Sequence, residues 1–248
     1  MQMKKEVIYI AEDEFAGSYE WYPGSELISP EVQVVSEEDL PAFQEEGITF
    51  ISTARLCPGS ILIRNPFRKG EYIEINESEE RIIRDKIGAM SKIVQQLGAS
   101  HIEGEAEFLE EQRLEKTVDG HIVYKAVSLE VSYKQDQQEL YSRSFKLIRD
   151  FNKPLCTKES YSEACRLLRA YNLDRDPEVR DLVEMLHPDV PNRLQRQAVR
   201  MSISREINAG KEFAASLTVL SGVFQMNLST RENLSVKKQI IFKSEVIF

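Results

Sequence analysis

Residues 234–248 read LSVKKQIIFKSEVIF, and apolar and polar residues alternate along most of this stretch. A period of two is typical of a strand that buries one side and exposes the other. The polar side would hold Lys237, Gln239, Lys243 and Glu245. The apolar side would hold Leu234, Val236, Ile240, Phe242, Val246 and Phe248. The pattern therefore predicts a long strand in an antiparallel sheet that is covered on one face.

The stretch from His121 to Lys134 alternates in the same way. Its polar positions include Ser128, Glu130 and Ser132. Its apolar positions are Val123, Val127, Leu129, Val131 and Tyr133. This predicts a strand over 120–134, between strands over 101–112 and 140–151. Because the connections are short and polar, we expect antiparallel hairpins.

A helix is predicted from Ser78 to Gly98. Ser78 is a good N-cap residue, two acidic residues follow it, and Gly98 is a typical helix end. Apolar residues recur at spacings of four and three at Ile83, Ile87, Met90, Val94 and Leu97. Such a stripe must be buried, so we expect it to pack on the sheet.

The rest of the chain is predicted to alternate between β-rich and helical parts. Turn residues such as Pro23-Gly24 separate five short β-branched clusters, at 7–10, 32–35, 48–52, 60–63 and 72–75. Helical spacing recurs over 159–171, 177–186 and 191–208, and a strand over 212–228 is expected to follow.

These elements predict an α+β fold with antiparallel β-sheets partly covered by helices. The expected organisation is a β-rich N-terminal lobe over 1–77, a helix plus three-stranded meander over 78–153, and a helical segment plus C-terminal hairpin over 154–248. One compact domain is the alternative. The last two segments have a similar order of elements, but no residue-level repeat relates them.

Composition predicts a cytoplasmic protein. The chain has 248 residues, of which 42% are hydrophobic, but it has neither an apolar run of about 20 residues nor a signal core after Met1–Glu6. The three cysteines, Cys57, Cys156 and Cys165, lack C-x-x-C spacing. Their odd number argues against a disulfide framework, and their spacing against a zinc site.

Charge is unevenly distributed along the sequence. Residues 1–120 hold 25 acidic and 12 basic residues, a net charge of -13, whereas residues 121–248 hold 16 and 20, a net charge of +4. The acidic half argues against nucleic-acid binding, because phosphates would be repelled. A solvated surface that keeps the protein soluble explains the asymmetry, and the functional alternative is head-to-tail self-association or recruitment of a basic partner.

An acidic strand offers the candidate catalytic residues. His101, Glu103, Glu105 and Glu107 alternate along 101–112 and would share one face. With residues of the next strand, this set suggests a metal-dependent hydrolase or nuclease, in which acids hold a cation and a lysine steadies the attacking water. The candidates are Glu103, Glu105, Asp119 and Lys125. Same-face neighbours on a strand lie about 7 Å apart, which favours a solvated acidic face instead.

No sequence motif predicts a cofactor. The chain contains no G-x-x-x-x-G-K-[ST], G-x-G-x-x-G or G-x-S-x-G pattern. We therefore expect neither a bound nucleotide nor a metal.

Two features are candidate partner-binding sites. Arg193, Arg196 and Arg200 would form a basic stripe on the predicted helix 191–208, suited to an acidic protein surface or to the N-terminal half of the same chain. Trp21 lies in the sequence YEWYP, where it would either form a small satellite core or protrude as a binding hot spot.

The segment 212–228 carries apolar residues on both faces of the predicted strand. A central strand between two layers explains this pattern, and a strand that enters lipid is the alternative. We therefore expect a non-enzymatic cytoplasmic protein that acts through protein-protein contacts or self-association. A membrane-active pore-forming effector that uses the C-terminal strands and a metal-dependent hydrolase are the alternatives.

Overall fold

The computed structural model describes residues 5–116, 122–152, 156–190, 194–218 and 224–248. The chain forms two compact units, each assembled from three separate stretches of sequence. The first unit comprises residues 1–81, 111–127 and 205–238, and the second unit comprises residues 82–110, 128–204 and 239–248.

Within those described ranges, the strands are β1 (Val7–Ala11), β2 (Val32–Ser36), β3 (Thr49–Ile51), β4 (Ile61–Arg64), β5 (Glu71–Glu74), β6 (His101–Lys116), β7 (Ile122–Ala126), β8 (Leu147–Asp150), β9 (Arg196–Ser202) and β10 (Val236–Ile247). The α-helices are α1 (Asp13–Ala16), α2 (Leu40–Glu45), α3 (Ile75–Gln96), α4 (Val131–Ser144), α5 (Lys158–Ala170), α6 (Pro177–Met185), α7 (Arg205–Ala215) and α8 (Leu228–Ser235). Short 3₁₀ helices include Tyr19–Trp21, Ser25–Leu27 and Ser216–Thr218.

The first unit is built around a mixed five-stranded sheet in the order β2-β1-β4-β5-β3. β1 and β2 are parallel, as are β3 and β5, whereas β4 runs antiparallel to both of its neighbours. All five strands predicted in the N-terminal third are confirmed, because turn residues separate short β-branched runs there. Every residue of β1 is buried, so β1 lies in the interior of this unit, between β2 and β4.

Helix α7 packs on this sheet through small residues. A Cβ atom at Gly210 would lie 2.6 Å from the Ile63 side chain, so only glycine allows the helix to approach β4 this closely. Ala214 and Ala215 are also fully buried. The strand predicted over 212–228 is therefore wrong for its described residues: residues 212–215 end α7, residues 216–218 form a 3₁₀ helix and residue 228 begins α8.

The second unit contains an antiparallel arrangement around the first part of β6. β8 pairs with one edge of β6 from His101 to Gly104, β10 lies on the other edge, and β9 pairs with β10. The strand predicted over 234–248 is confirmed as β10, but Leu234 belongs to α8, and Lys237, which was expected on the polar face, is buried. In the first unit, the last residues of β6 pair with β7 instead.

Helix α3 has the predicted buried stripe. Ile83 and Val94 are completely buried, and Ile87, Met90 and Leu97 are each at most 6% exposed. The helix begins at Ile75 rather than at Ser78 and ends at Gln96. Gly98, two residues later, has a φ of +85°. The same helix also buries Lys86 completely, which the apolar spacing did not indicate.

Residues 131–144 form helix α4 rather than part of two strands. The Gln138 side chain accepts a hydrogen bond of 2.8 Å from the Phe108 backbone amide and donates one of 3.3 Å to the Ala106 carbonyl. Tyr141 stacks on Phe108 with 6.0 Å between ring centroids. Val131, at 83% exposed, shows that the apolar positions of the predicted strand are not its buried face.

Residues 196–202 form strand β9, so the helix predicted over 191–208 is wrong there, whereas residues 205–208 are helical and begin α7. Val199 and Met201 are buried while Arg196, Ala198 and Arg200 are exposed, which is the alternation of a strand. Helices 159–171 and 177–186 are confirmed as α5 and α6 within a residue at each end.

The molecule is an α+β protein with mixed and antiparallel sheets packed against helices. In the part of the chain that the structure describes, none of the helices combines the length and the apolar character needed to cross a bilayer.

Candidate functional site

Trp21 is the most exposed large apolar side chain of the described residues. It belongs to the first unit, lies on the 3₁₀ helix Tyr19–Trp21 and exposes 87% of its surface. Large aromatic side chains normally contribute to a core, so a solvent-exposed tryptophan marks a surface that can bind a partner. The interpretation of Trp21 as part of a satellite core is not supported by this exposure.

A rigid turn holds Trp21 in this position. Tyr22, Pro23, Gly24 and Ser25 form a type II turn, in which Gly24 has φ 91° and ψ 1° and the Ser25 amide donates to the Tyr22 carbonyl at 3.0 Å. The Ser25 hydroxyl donates to the Glu20 carbonyl at 3.0 Å. The backbone around Trp21 is therefore fixed although its indole ring is in solvent.

Aromatic rings anchor the turn to the core of the first unit. Phe15 contacts Tyr22 edge to face at 5.7 Å between centroids, and it contacts Phe224 at 5.3 Å. Phe224 in turn contacts Tyr9 on β1 at 5.0 Å. Tyr22 is 41% exposed and Leu27 is 56% exposed, so both extend the apolar surface beside Trp21.

The surroundings of Trp21 are strongly acidic. Residues 6–54 contain twelve acidic residues and no lysine or arginine. Five of the exposed acidic side chains lie within nine sequence positions of Trp21, and no basic side chain of the described chain forms an ion pair with them: Glu12, Asp13, Glu14, Glu20 and Glu26. We call these five residues, with Trp21, Tyr22 and Leu27, the Trp21 surface.

Burial raises the pKa values of two neighbouring phenols, and the negative charge adds to the shift. Burial, with a smaller contribution from the Glu20 carboxylate, raises the pKa of Tyr19. Burial raises the pKa of Tyr9 to about 12, and the Glu12 carboxylate adds to this effect. The negative potential of the surface thus reaches neighbouring phenols.

The predicted basic stripe has internal partners in the second unit. Arg196 forms a bidentate ion pair with Glu245 on β10. Arg200 lies 3.9 Å from the Glu107 carboxylate, which also pairs with Lys243 at 2.7 Å. Arg193 lies outside the described residues. Because Arg196 and Arg200 are already neutralised by carboxylates of the same unit, they offer little charge to an external acidic surface.

The candidate catalytic residues are not brought together within one unit. Glu103 and Glu105 lie on the part of β6 that belongs to the second unit, whereas Lys125 lies on β7 in the first unit. Glu105 accepts a hydrogen bond of 2.6 Å from Ser142, and Lys125 pairs with Glu115 at 2.5 Å. Asp119 lies outside the described residues.

One histidine pair was not anticipated from the sequence. His101 Nδ1 lies 2.7 Å from the Asp150 carboxylate, and its Nε2 lies 3.9 Å from the Glu103 carboxylate. A carboxylate orients the ring as in a catalytic triad, but the far nitrogen faces a second carboxylate and not a nucleophile. No group of three or more metal-binding side chains occurs among the residues that the structure covers.

A group of buried lysines lies in the first unit. Lys211 on α7 donates to the Val236 carbonyl at 3.0 Å and lies 3.9 Å from Glu79. Burial lowers its pKa to about 8. Lys237 pairs with Glu212 and lies 3.7 Å from the Tyr124 ring centroid, a cation-π contact. These carbonyl, carboxylate and ring partners account for the burial of both amines.

No protein-family model matches the chain, and neither a curated protein nor a solved structure is significantly similar to it.

Proposed function

We propose that this is a non-enzymatic cytoplasmic protein that binds a basic segment of another protein through the Trp21 surface. The observation that carries the proposal is the 87% exposure of Trp21, which lies directly before a fixed turn and among exposed carboxylates. The odd number of cysteines supports the cytoplasm as the compartment.

The apolar part of the surface supplies the affinity in this proposal. Tryptophan is enriched among residues whose truncation costs about 2 kcal/mol or more of binding energy. Because the Pro23-Gly24 turn already fixes the backbone, little main-chain entropy would be lost when a partner docks.

The acidic part of the surface selects a basic partner. Lysine and arginine side chains can pair with the exposed carboxylates, and an arginine can stack on the indole ring, which is the best cation-π acceptor of the aromatic side chains. Exposed charges are screened beyond about 8 Å at physiological ionic strength, so this selection would weaken with salt.

Fluorescence anisotropy with labelled synthetic peptides tests the proposal. A twelve-residue peptide of alternating arginine and leucine is the probe, and the glutamate-leucine peptide is its control. We expect the basic peptide to bind, and we expect Trp21→Ala to lower its affinity at least tenfold. Leu140→Ala changes an exposed leucine of α4 and should leave the affinity unchanged. Equal binding by the Trp21→Ala protein would overturn the proposal.

Self-association through the same surface is the second candidate, favoured by the opposite net charges of residues 1–120 and 121–248. Sedimentation at low and high salt distinguishes self-association from binding of an external partner. A dimer at low salt that Trp21→Ala dissociates would replace the external partner with a second copy of the chain.

A further inference from the structure

The first unit contains a cavity of about 210 Å³. Its walls come from β6, from the 3₁₀ helix Ser216–Thr218, from α8 and from the loop that precedes α8. The lining residues are Leu114, Leu217, Thr218, Phe224, Met226, Arg231, Leu234 and Ser235. A mostly apolar wall with a few polar groups is the usual composition of a small-molecule site.

The apolar wall is rigid on one side. Leu217, Phe224 and Leu234 are at most 3% exposed and belong to the core of the unit. The edge-to-face contacts of Phe224 with Tyr9 and Phe15 fix the orientation of its ring. The wall is therefore supported by the main sheet rather than formed by surface side chains alone.

Of the polar side chains that line the cavity, Arg231 is the candidate to receive an anion. The hydroxyls of Thr218 and Ser235 donate to the carbonyls of Ala215 and Glu232, both at 2.7 Å, so their protons are already used. Arg231 is exposed, and none of the carboxylates in the described ranges forms an ion pair with it. Among the lining residues that the structure describes, it is the one with a cationic group, and a guanidinium suits bidentate recognition of a carboxylate.

We propose that this cavity binds a small monocarboxylate with an apolar body, with the carboxylate on Arg231 and the body against Phe224 and Leu234. Engineered apolar cavities of about 150 Å³ hold benzene, so a cavity of 210 Å³ accommodates a ligand of about eight carbon atoms. The proposal does not rest on the Trp21 surface, because it uses a cation, Arg231, and a small anionic ligand, whereas the Trp21 surface uses carboxylates and a basic peptide.

Calorimetric titration with octanoate tests the proposal, and octanamide serves as the neutral ligand of equal length. The protein should bind octanoate more tightly than octanamide. Arg231→Gln should weaken octanoate binding at least tenfold and change octanamide binding less than twofold. Arg55→Gln is the matched control, because it removes the same charge from an exposed arginine that pairs with Glu37 and does not line the cavity.

A substitution that fills the cavity provides a second test. Met226→Trp adds volume at the wall and should abolish the binding of both ligands, with folding checked by chemical denaturation. The absence of octanoate binding by the folded protein would overturn the proposal. Octanoate affinity that Arg231→Gln or Met226→Trp leaves unchanged would overturn it equally.

Discussion

Gly104 on β6 faces the main chain of Lys243 on β10 at a distance that excludes any side chain. A Cβ atom at position 104 would lie 2.6 Å from the Lys243 carbonyl oxygen and 2.8 Å from the Ser244 Cβ atom. The two central strands of the second unit can pair closely only because residue 104 is glycine.

We therefore expect Gly104→Ala to destabilise the protein by about 1–3 kcal/mol, the usual cost of overpacking a core. Gly88→Ala is the control, because a Cβ atom there meets nothing within 4 Å and alanine favours the helix. Urea denaturation should show opposite shifts for the two variants. Equal shifts would mean that β6 and β10 separate easily.

The buried stripe of α3 gives a second prediction. Ile87→Asp places an unpaired charge at a position that is 6% exposed, so it should destabilise the protein by several kcal/mol or prevent folding. Gln95→Asp introduces the same side chain on the exposed face of this helix and should cost under about 1 kcal/mol. Matching unfolding midpoints for the two variants would contradict the burial of the stripe.

The lowered pKa of Lys211 predicts that the stability of the protein depends on pH. Burial lowers its pKa from 10.5 to about 8, so between these values the unfolded chain binds a proton that the folded chain does not. Stability must therefore rise with pH in this window, by about 2 kcal/mol between pH 7 and 9.5. The raised pKa values of Tyr9 and Tyr124 reverse the trend above about pH 10, which sets the upper limit of the measurement.

The corresponding experiment is urea denaturation at pH 7 and 9.5. Lys211→Met keeps the apolar stem and removes the titrating amine, so most of the rise should disappear. The Lys125→Met protein, in which an exposed lysine is changed, should keep the full rise in stability. If the Lys211→Met protein retained the full rise, another group would be the source of the dependence.

The environment of Trp21 can be measured directly, because the chain has one tryptophan. Its emission should resemble that of indole in water. At low salt the cationic quencher caesium should be more effective than the anionic quencher iodide, since the carboxylates of the Trp21 surface attract cations. High salt should reduce this difference. Preferential quenching by iodide would show that the surface is not negative.

Much of the fold follows from local patterns. β10 and the five strands of the first unit were predicted because turn residues and one-sided burial leave a period of two in the sequence. Helix α3 was predicted because its buried residues are apolar and recur at helical spacing.

The missed elements lack such signals. The contacts of α4 with β6 are made by Gln138 and Tyr141, so no apolar stripe distinguishes the helix from a strand. Arg196 and Arg200 are four residues apart, and this spacing places two residues on one face of either a helix or a strand. Val199 and Met201 are both buried, and this alternation with the exposed arginines is that of a strand and not of a helix.

The binding sites were predictable to different degrees. Trp21 stood out by residue type, and the absence of lysine and arginine from residues 6–54 is visible in the sequence. The cavity was not predictable, because Leu114 and Arg231 come from stretches more than a hundred residues apart and meet only in the folded unit.

The position of α7 also determines the order in which the first unit can form during synthesis. The strands of its sheet end at Glu74, but the helix that packs on β4 begins at Arg205. Because synthesis proceeds at about 5–20 residues per second, the last strand of the sheet is made roughly 6–26 s before α7 begins. Nascent chains stalled before Arg205 should therefore be cleaved by protease within β1 and β4, where the finished protein resists cleavage.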